Sequence, residues 1–264
     1  MNYSEKIVTN EFLKDDVLCY WEMVGSIPSS EGLHSRYLPK GQSLLIFNYG
    51  DKIKLSSKII ESPFFTVPAI ASSLIITQTG KINLIGISFI GDGLYKLLND
   101  PLSDVAQQLS QDLSHECHKL YIAIDKLEFQ DKTKKIEAFL LNHLNRNKKN
   151  DAFNQAIQII NKKKGKLKIR SLSNDLQISE RHLQRLFKTR LNLSPKDYCK
   201  IIRVNNYMEF ILERNKPVDW MDLVVEFGYH DQPHLINEVR AVSKLSPKKL
   251  LKFRDTLFHR YNTY

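Results

Sequence analysis

One sequence pattern occurs twice in the last third of this chain. His182-Leu183 and Leu193-Ser194-Pro195-Lys196 in the first copy correspond to His234-Leu235 and Leu245-Ser246-Pro247-Lys248 in the second, at a constant offset of 52 residues. A duplicated short helical unit indicates a domain built from two similar parts.

The first copy has two different faces when it is placed on a helix. One face carries positions i, i+3, i+4 and i+7, and these are Arg181, Gln184, Arg185 and Lys188. The opposite face carries Leu183, Leu186 and Phe187. Residues with these spacings share one side of a helix, so the apolar face is predicted to pack and the polar face to meet nucleic acid.

The positive charge of the chain is concentrated around this first copy. The formal net charge is +10, and residues 160 to 203 alone hold 13 Lys and Arg against three acids. The segments before and after are almost neutral. A Lys/Arg run is by itself most often a solvated surface, but charge that coincides with a helix-turn-helix pattern favours binding to phosphates.

Length and composition limit the remaining classes. A chain of 264 residues with 42% hydrophobic content predicts two domains, each with a core. No apolar run approaches about 18 residues and the first residues lack a signal-peptide profile, so we expect a cytoplasmic protein with no membrane partner. Cys19, Cys117 and Cys199 are too widely separated for a disulfide framework or a metal site and are expected to be buried thiols.

The N-terminal part is predicted to be antiparallel strands followed by helices. Apolar runs at 43–49, 64–67, 74–77 and 82–89 are bounded by turn residues, and the last two runs are predicted to form a hairpin. Helical spacing follows, and residues 102–147 are predicted to form two or three helices. Strands this short favour a barrel or a sandwich.

Enzymatic chemistry has little support in this part. His34, His115 and His118 with Glu116 are imaginable metal ligands, but His115 and His118 are three residues apart, unlike the HExxH motif, and surface polar residues are the preferred interpretation. We therefore expect no metal, no cofactor and no catalytic residues. Aromatic residues on the strands either fill the core or line a small-molecule pocket, and the sequence does not separate these alternatives. They are Phe47, Tyr49, Phe64, Phe65 and Phe89.

The C-terminal part contains helix boundaries that can be located from the sequence. A short helix from about Ala152 ends at Gly165, and Leu172 and Leu176 anchor the first helix of the helix-turn-helix. Ser179 is the expected N-cap of the recognition helix. Ser194-Pro195 begins a helix of about 18 residues, roughly 27 Å long, which is wide enough to contact both repeats. The second copy runs from Val218 to Lys244, and Ser246-Pro247 begins a final helix.

Individual side chains of the recognition helix suit different parts of a DNA duplex. Arg181 and Arg185 are predicted to donate to guanine and Gln184 to adenine, because their hydrogen-bonding geometry fits those base edges. Lys188, Arg190 and the cluster 162–168 are better suited to phosphates, which position a protein without specifying sequence.

These C-terminal motifs resemble the DNA-binding domain of AraC/XylS-family transcription regulators. The similar stretches are Ile178 to Lys188, Ser194-Pro195-Lys196, Arg203, Phe227 to Leu235 and Leu245-Ser246-Pro247. The resemblance implies two helix-turn-helix units, at about 170–190 and 218–243, joined by a long helix at about 195–214, within a domain of residues 150–264. The half at 1–147 resembles, more weakly, the cupin-like sensor of that family, which gives an α+β fold class. The DNA-binding residues expected on this basis are Ser179, Arg181, His182, Gln184, Arg185, Lys188, Arg190, Gln232, His234, Asn237 and Arg240.

The chain departs from the family pattern at several positions. Gln177, Asn192 and Lys244 stand where the family has glycine, and Gln and Lys adopt a left-handed backbone at some cost. The second recognition helix has Pro233 and Asn237 in place of common Ser and Arg. Five acids and one base lie between 218 and 240, so we expect the first unit to supply most sequence specificity and the second to contact the DNA backbone weakly or to bind protein.

The leading hypothesis is a sequence-specific regulator that binds double-stranded promoter DNA and acts with RNA polymerase. Its N-terminal domain senses a small-molecule effector or forms a homodimer. Two alternatives remain: a cupin-type metal enzyme fused to a DNA-binding domain, and a ligand-free DNA-binding or interaction protein. Stoichiometric metal lost in His115→Ala would support the first alternative, and steep salt dependence without sequence preference would support the second.

Overall fold

The N-terminal part forms two antiparallel sheets that pack face to face. The structure is a computed structural model, and it describes residues 1–28, 32–145, 151–213 and 224–252. The first sheet has the order β1-β2-β9-β4-β7 and the second has the order β3-β8-β5-β6. The strands are β1 (Asn2–Ile7), β2 (Val17–Ile27), β3 (Leu33–Tyr37), β4 (Ser43–Asn48), β5 (Ile53–Leu55), β6 (Lys58–Ile60), β7 (Phe64–Val67), β8 (Leu74–Gln78) and β9 (Gly80–Phe89).

Three helices cover the outer face of the first sheet. They are α1 (Gly93–Leu98), α2 (Gln111–Ile124) and α3 (Phe129–His143). Strand β4 is buried along its whole length because its two faces feed different cores. Leu45 and Phe47 point into the core shared with the helices, whereas Leu44 and Ile46 point into the core between the sheets. This burial on both faces explains why the sequence of β4 is a continuous apolar run.

The predicted hairpin between residues 74–77 and 82–89 is wrong. β8 pairs with β3 and β5 in the second sheet, while β9 pairs with β2 and β4 in the first. The chain changes sheet at Thr79 and Gly80, and Gly80 has a φ of +68°, which glycine adopts without strain. β9 pairs with β2 from Val17↔Phe89 to Ile27↔Gly80. Strands β1, β2, β3, β5 and β6 are not among the predicted apolar runs.

The C-terminal part is helical and has a core of its own. Its helices are α4 (Ala152–Lys162), α5 (Ile169–Asp175), α6 (Glu180–Leu191), α7 (Pro195–Glu213), α8 (Gln232–Ser243) and α9 (Pro247–Lys252). The chain therefore has the predicted α+β fold class. The predicted boundary between the halves at 1–147 and 150–264 falls within 146–150, and the start of the second unit falls within 214–223; both lie outside the described residues.

Left-handed backbone occurs at all three positions where glycine was missing from the family pattern. The φ angles are +54° at Gln177, +63° at Asn192 and +59° at Lys244. Asn192 and Lys244 are the C-caps of α6 and α8, and their backbone N–H groups donate to carbonyls in the last turn of each helix. The repeat therefore preserves the backbone geometry although it has lost the glycines.

Candidate nucleic-acid interface

Helix α6 is fixed by its apolar face. Leu183, Phe187 and Leu191 are fully buried. The Phe187 ring packs against Phe153 of α4, with centroids 5.0 Å apart, and against Tyr198 of α7, with centroids 5.8 Å apart. Because α4 and α7 hold the same ring from two sides, the position of α6 is well defined.

The opposite side of α6 is exposed, and we call its four residues the reading face. The reading face consists of Arg181, Gln184, Arg185 and Lys188. Ser179 caps the helix, since its hydroxyl accepts a hydrogen bond from the His182 N–H at 3.1 Å. Nη2 of Arg185 lies 3.0 Å from Nδ1 of half-buried His182, so the imidazole orients a guanidinium toward solvent.

Arg190 differs from the other basic residues that were expected to contact DNA. It is buried, with Nη1 2.9 Å from Asp92 Oδ2 and Nη2 2.5 Å from Asp151 Oδ2. Its guanidinium also lies over the Phe153 ring, 5.1 Å from the centroid. Burial alone would raise the pKa of Asp151, but the hydrogen bond from Arg190 and the backbone N–H groups of α4 outweigh it and hold that pKa below its ordinary value. Arg190 therefore stabilises contacts inside the protein, and its guanidinium is not exposed to contact DNA.

The cationic segment between α4 and α5 adds a second exposed basic surface. The exposed cations there are Lys162, Lys163, Lys164, Lys168 and Arg170. Lys166 is also exposed, but its ammonium donates to the Glu226 carbonyl and lies 5.4 Å from the centroid of the Phe227 ring. The segment thus lies beside both helix-turn-helix units and presents several cations to solvent.

The second recognition helix, α8, presents polar but less basic side chains. Gln232, His234, Asn237 and Arg240 are exposed. Asp231 caps the helix by accepting a hydrogen bond from the His234 N–H at 2.7 Å, and this interaction lowers the pKa of Asp231. The acid therefore has a structural role at the helix N-terminus.

A buried ion pair joins α8 to α7. Arg203 Nε lies 2.6 Å from Glu238 Oε1 and Nη2 lies 2.8 Å from Oε2, and the Tyr229 hydroxyl donates to Oε1 at 3.0 Å. Arg203 also donates to the Gly165 carbonyl at 2.8 Å. Burial would lower the pKa of Arg203, but Glu238 outweighs this effect and the pKa is raised. One of the five acids counted in the second unit is therefore internal.

The residues considered as metal ligands do not form a cluster. His115 and His118 are exposed on α2, whereas Nδ1 of His34 lies 3.0 Å from the Thr77 hydroxyl on the second sheet. Among the described residues, no group of three or more His, Cys, Asp and Glu side chains is arranged to hold a metal ion. The strand aromatics Phe47, Phe64 and Phe89 fill the core beneath the helices.

Contacts between the N-terminal part and the helix-turn-helix units were not predicted. Asp92 binds Arg190, 98 residues away, and Ser73 binds the end of α8. No local pattern signals such pairs, because both partners are ordinary polar residues in their own segments.

Two family models match parts of this chain. Residues 172–252 match the family described as a helix-turn-helix domain, and residues 5–111 match a domain of unknown function, DUF6597. The first match contains α6, α7 and α8, so these helices belong to a helix-turn-helix domain. No curated protein matches this chain.

Several solved structures are similar to this chain in fold. ToxT from Vibrio cholerae superposes with a TM-score of 0.50 at 11% identity, over 88% of this chain and 98% of that one. ToxT from Vibrio cholerae O395 gives the same TM-score and identity, over 90% and 99%. An AraC-type DNA-binding domain from Chromobacterium violaceum is 20% identical over 40% of this chain and 94% of that one, with a TM-score of 0.36. The family match at 172–252 confirms the predicted helix-turn-helix domain, and the superposition shows that most of the chain shares the fold of ToxT. Among the described residues, no helix is long and apolar enough to cross a membrane.

Proposed function

We propose that this protein is a sequence-specific regulator whose first recognition helix, α6, reads promoter DNA in the major groove. The observation that carries the proposal is the division of α6 into a fully buried apolar face and an exposed reading face. Recognition helices of this class use side chains near their N-terminus to contact base edges. Arg181 and Arg185 suit guanine, and Gln184 suits adenine.

Phosphate contacts are assigned to the exposed cations around α6. Lys188 and the cations between α4 and α5 are exposed, and their charge attracts the duplex without specifying sequence. The side chains of α8 are proposed to contact DNA more weakly, because only Arg240 among its four exposed candidates is a lysine or an arginine. We propose that binding of this protein at a promoter changes transcription through RNA polymerase.

The test compares the two recognition helices after the preferred DNA has been selected from a random pool. Arg185→Ala is expected to weaken binding to the selected site by roughly tenfold to a hundredfold, since one bidentate base contact contributes about 1–3 kcal/mol. Asn237→Ala, the control in α8, should have a smaller effect. A larger loss for Asn237→Ala would refute the assignment.

We also propose that the N-terminal part senses a small molecule, and a cleft between β7, α2 and the loop before α2 supports this. The cleft has a volume of about 660 Å³, which is within the range of small-molecule sites. Its lining contains amide, hydroxyl, imidazole and apolar groups, but no Lys, Arg, Asp or Glu: it includes Ser62, Phe64, Gln107, Gln111, His115 and His118. This composition favours an uncharged ligand.

A fragment screen would test the sensor proposal without knowledge of the natural ligand. Neutral hydrogen-bonding fragments are expected to bind in the cleft in ligand-observed NMR. Ser114 also lines the cleft, so Ser114→Trp should abolish their binding by filling the space. Binding that survives Ser114→Trp would place the ligand elsewhere. Stoichiometric metal lost in His115→Ala would instead favour the metal-enzyme alternative.

A further inference from the structure

The N-terminal part holds the end of the first recognition helix through a set of contacts that we call the first anchor. The Leu102 N–H donates to the Thr189 carbonyl at 2.9 Å, and the Asn192 side-chain amide donates to the Ser103 carbonyl at 2.5 Å. Asp92 completes the anchor through its ion pair with Arg190. All three α6 positions lie in the last turn or at the C-cap.

A second anchor holds the end of the other recognition helix. The Ser73 N–H donates to the Val242 carbonyl at 2.7 Å, and the Ser73 hydroxyl donates to the Ser243 carbonyl, also at 2.7 Å. Arg36 Nη1 donates to the same hydroxyl at 3.0 Å, which orients it toward α8.

The two anchors engage the same turn of the repeat. With the offset of 52 residues, Val242 corresponds to Arg190, and Ser243 corresponds to the position between Arg190 and Asn192. Each anchor therefore holds the C-terminal end of a recognition helix and leaves the N-terminal, base-contacting end exposed. An occluding contact would instead cover the reading face.

Helix α7 contributes to both units, and its buried residues share one hydrophobic core with residues of α6 and α8. The anchors add a second fixed point to each unit, about one helical turn beyond α7's own contacts with Phe187 and Glu238. Two recognition helices that are fixed at both points can fit only a limited range of half-site spacings, because successive major-groove faces lie roughly 34 Å apart.

We propose that the N-terminal part determines which half-site spacing the protein accepts, with Asp92 and Ser73 as the positioning residues. The inference rests on the proposed DNA-binding function. It assigns the N-terminal part a role in DNA specificity that does not require any effector to be bound.

The test uses the full chain and the selected DNA site, with one or two base pairs inserted or removed between the half-sites. The wild type is expected to lose about tenfold or more in affinity at altered spacings. Ser73→Ala and Asp92→Asn should each narrow that difference to about threefold, while binding to an isolated first half-site stays unchanged. Asn192→Gly removes the amide contact with Ser103 and keeps a residue that tolerates positive φ, so it tests the first anchor if Asp92→Asn does not fold. It also removes the acceptor of the Lys188 ammonium, so its affinity is compared with that of Lys188→Ala at each spacing.

The control is Lys52→Ala, which removes an exposed ion pair with Glu61 and leaves both anchors intact. It should keep the wild-type spacing preference. Variants that lose affinity equally at every spacing would overturn the proposal, as would a wild type that has no spacing preference. If the wild type binds no selected DNA at all, the proposed DNA-binding function itself is refuted. If it binds with a preference that Ser73→Ala, Asp92→Asn and Asn192→Gly all retain, only the role of the anchors fails.

Discussion

Replacing Glu238 with alanine should strongly destabilise the helical part. The substitution leaves the Arg203 guanidinium without its carboxylate and removes the acceptor of the Tyr229 hydroxyl. The side chains of Arg203 and Glu238 are only 17% and 6% exposed, so water restores little of the lost interaction. Breaking a buried ion pair costs about 3–5 kcal/mol. Arg203 keeps its bond to the Gly165 carbonyl, which places the expected loss near the lower end, at about 3 kcal/mol.

A double substitution distinguishes an unpaired charge from a simple loss of packing. Arg203→Met combined with Glu238→Met removes both charges and fills similar volume, so most of the stability should return. Glu226→Ala, an exposed acid outside the buried pair, is the control and should change the free energy of unfolding by less than about 0.5 kcal/mol.

Urea unfolding followed by the helical circular dichroism signal measures these free energies. With a urea dependence of about 1–3 kcal/mol per molar, a loss of 3 kcal/mol lowers the midpoint by about 1 M or more. A loss below about 1 kcal/mol for Glu238→Ala would refute the reasoning. A double variant less stable than the single one would also refute it.

Two further perturbations test backbone strain and the charge at the end of α6. Gln177→Gly and Lys244→Gly should each raise the free energy of unfolding by about 0.5–1 kcal/mol. Glycine removes the backbone strain of the left-handed conformation, and this gain exceeds the cost of the larger conformational entropy of the unfolded chain. Asn192→Gly should give no such gain, because asparagine tolerates this conformation. The second perturbation is acidification. Because the folded pKa of Asp151 is depressed, its pairing with Arg190 stabilises the protein fully above the unfolded pKa of about 3.9 and is lost as the pH falls through the lower folded value. The stability gap between wild type and Asp151→Asn should therefore be constant from about pH 5 to 7 and shrink below about pH 4, whereas a gap that widens in acid would contradict the sign.

Local features of the C-terminal part could be predicted because each depends on residues close together in the sequence. The cap at Ser179 and the start of α7 at Pro195 follow from backbone chemistry within one helical turn. The left-handed positions were indicated by the family resemblance, which has glycine there. The packing of Leu183 and Phe187 follows from their spacing on α6.

Features that depend on distant partners could not be predicted. The sheet exchange between β8 and β9 is decided by competition among strands, and the pattern of either strand alone is compatible with a hairpin. The burial of Arg190 is decided by Asp92 and Asp151, which the repeat does not reveal. A basic residue in such a repeat is predicted to contact DNA, and only the three-dimensional structure shows whether it pairs with an acid inside the protein.

The acid content of the second unit illustrates the same limit and changes its interpretation. Glu238 neutralises Arg203 inside the protein, and Asp231 accepts hydrogen bonds at the start of α8. Glu238 is therefore not a surface charge that would repel a phosphate, whereas Asp231 is exposed and stays ionised at the N-terminal end of α8. α8 also lacks the dense cations of α6 and the α4–α5 segment. We therefore expect α8 to contribute little to the electrostatic attraction of DNA and to make contacts that depend on where the duplex lies. Neutralising the cations around α6 should therefore abolish binding at every spacing, whereas changes at α8 should alter mainly the dependence on spacing.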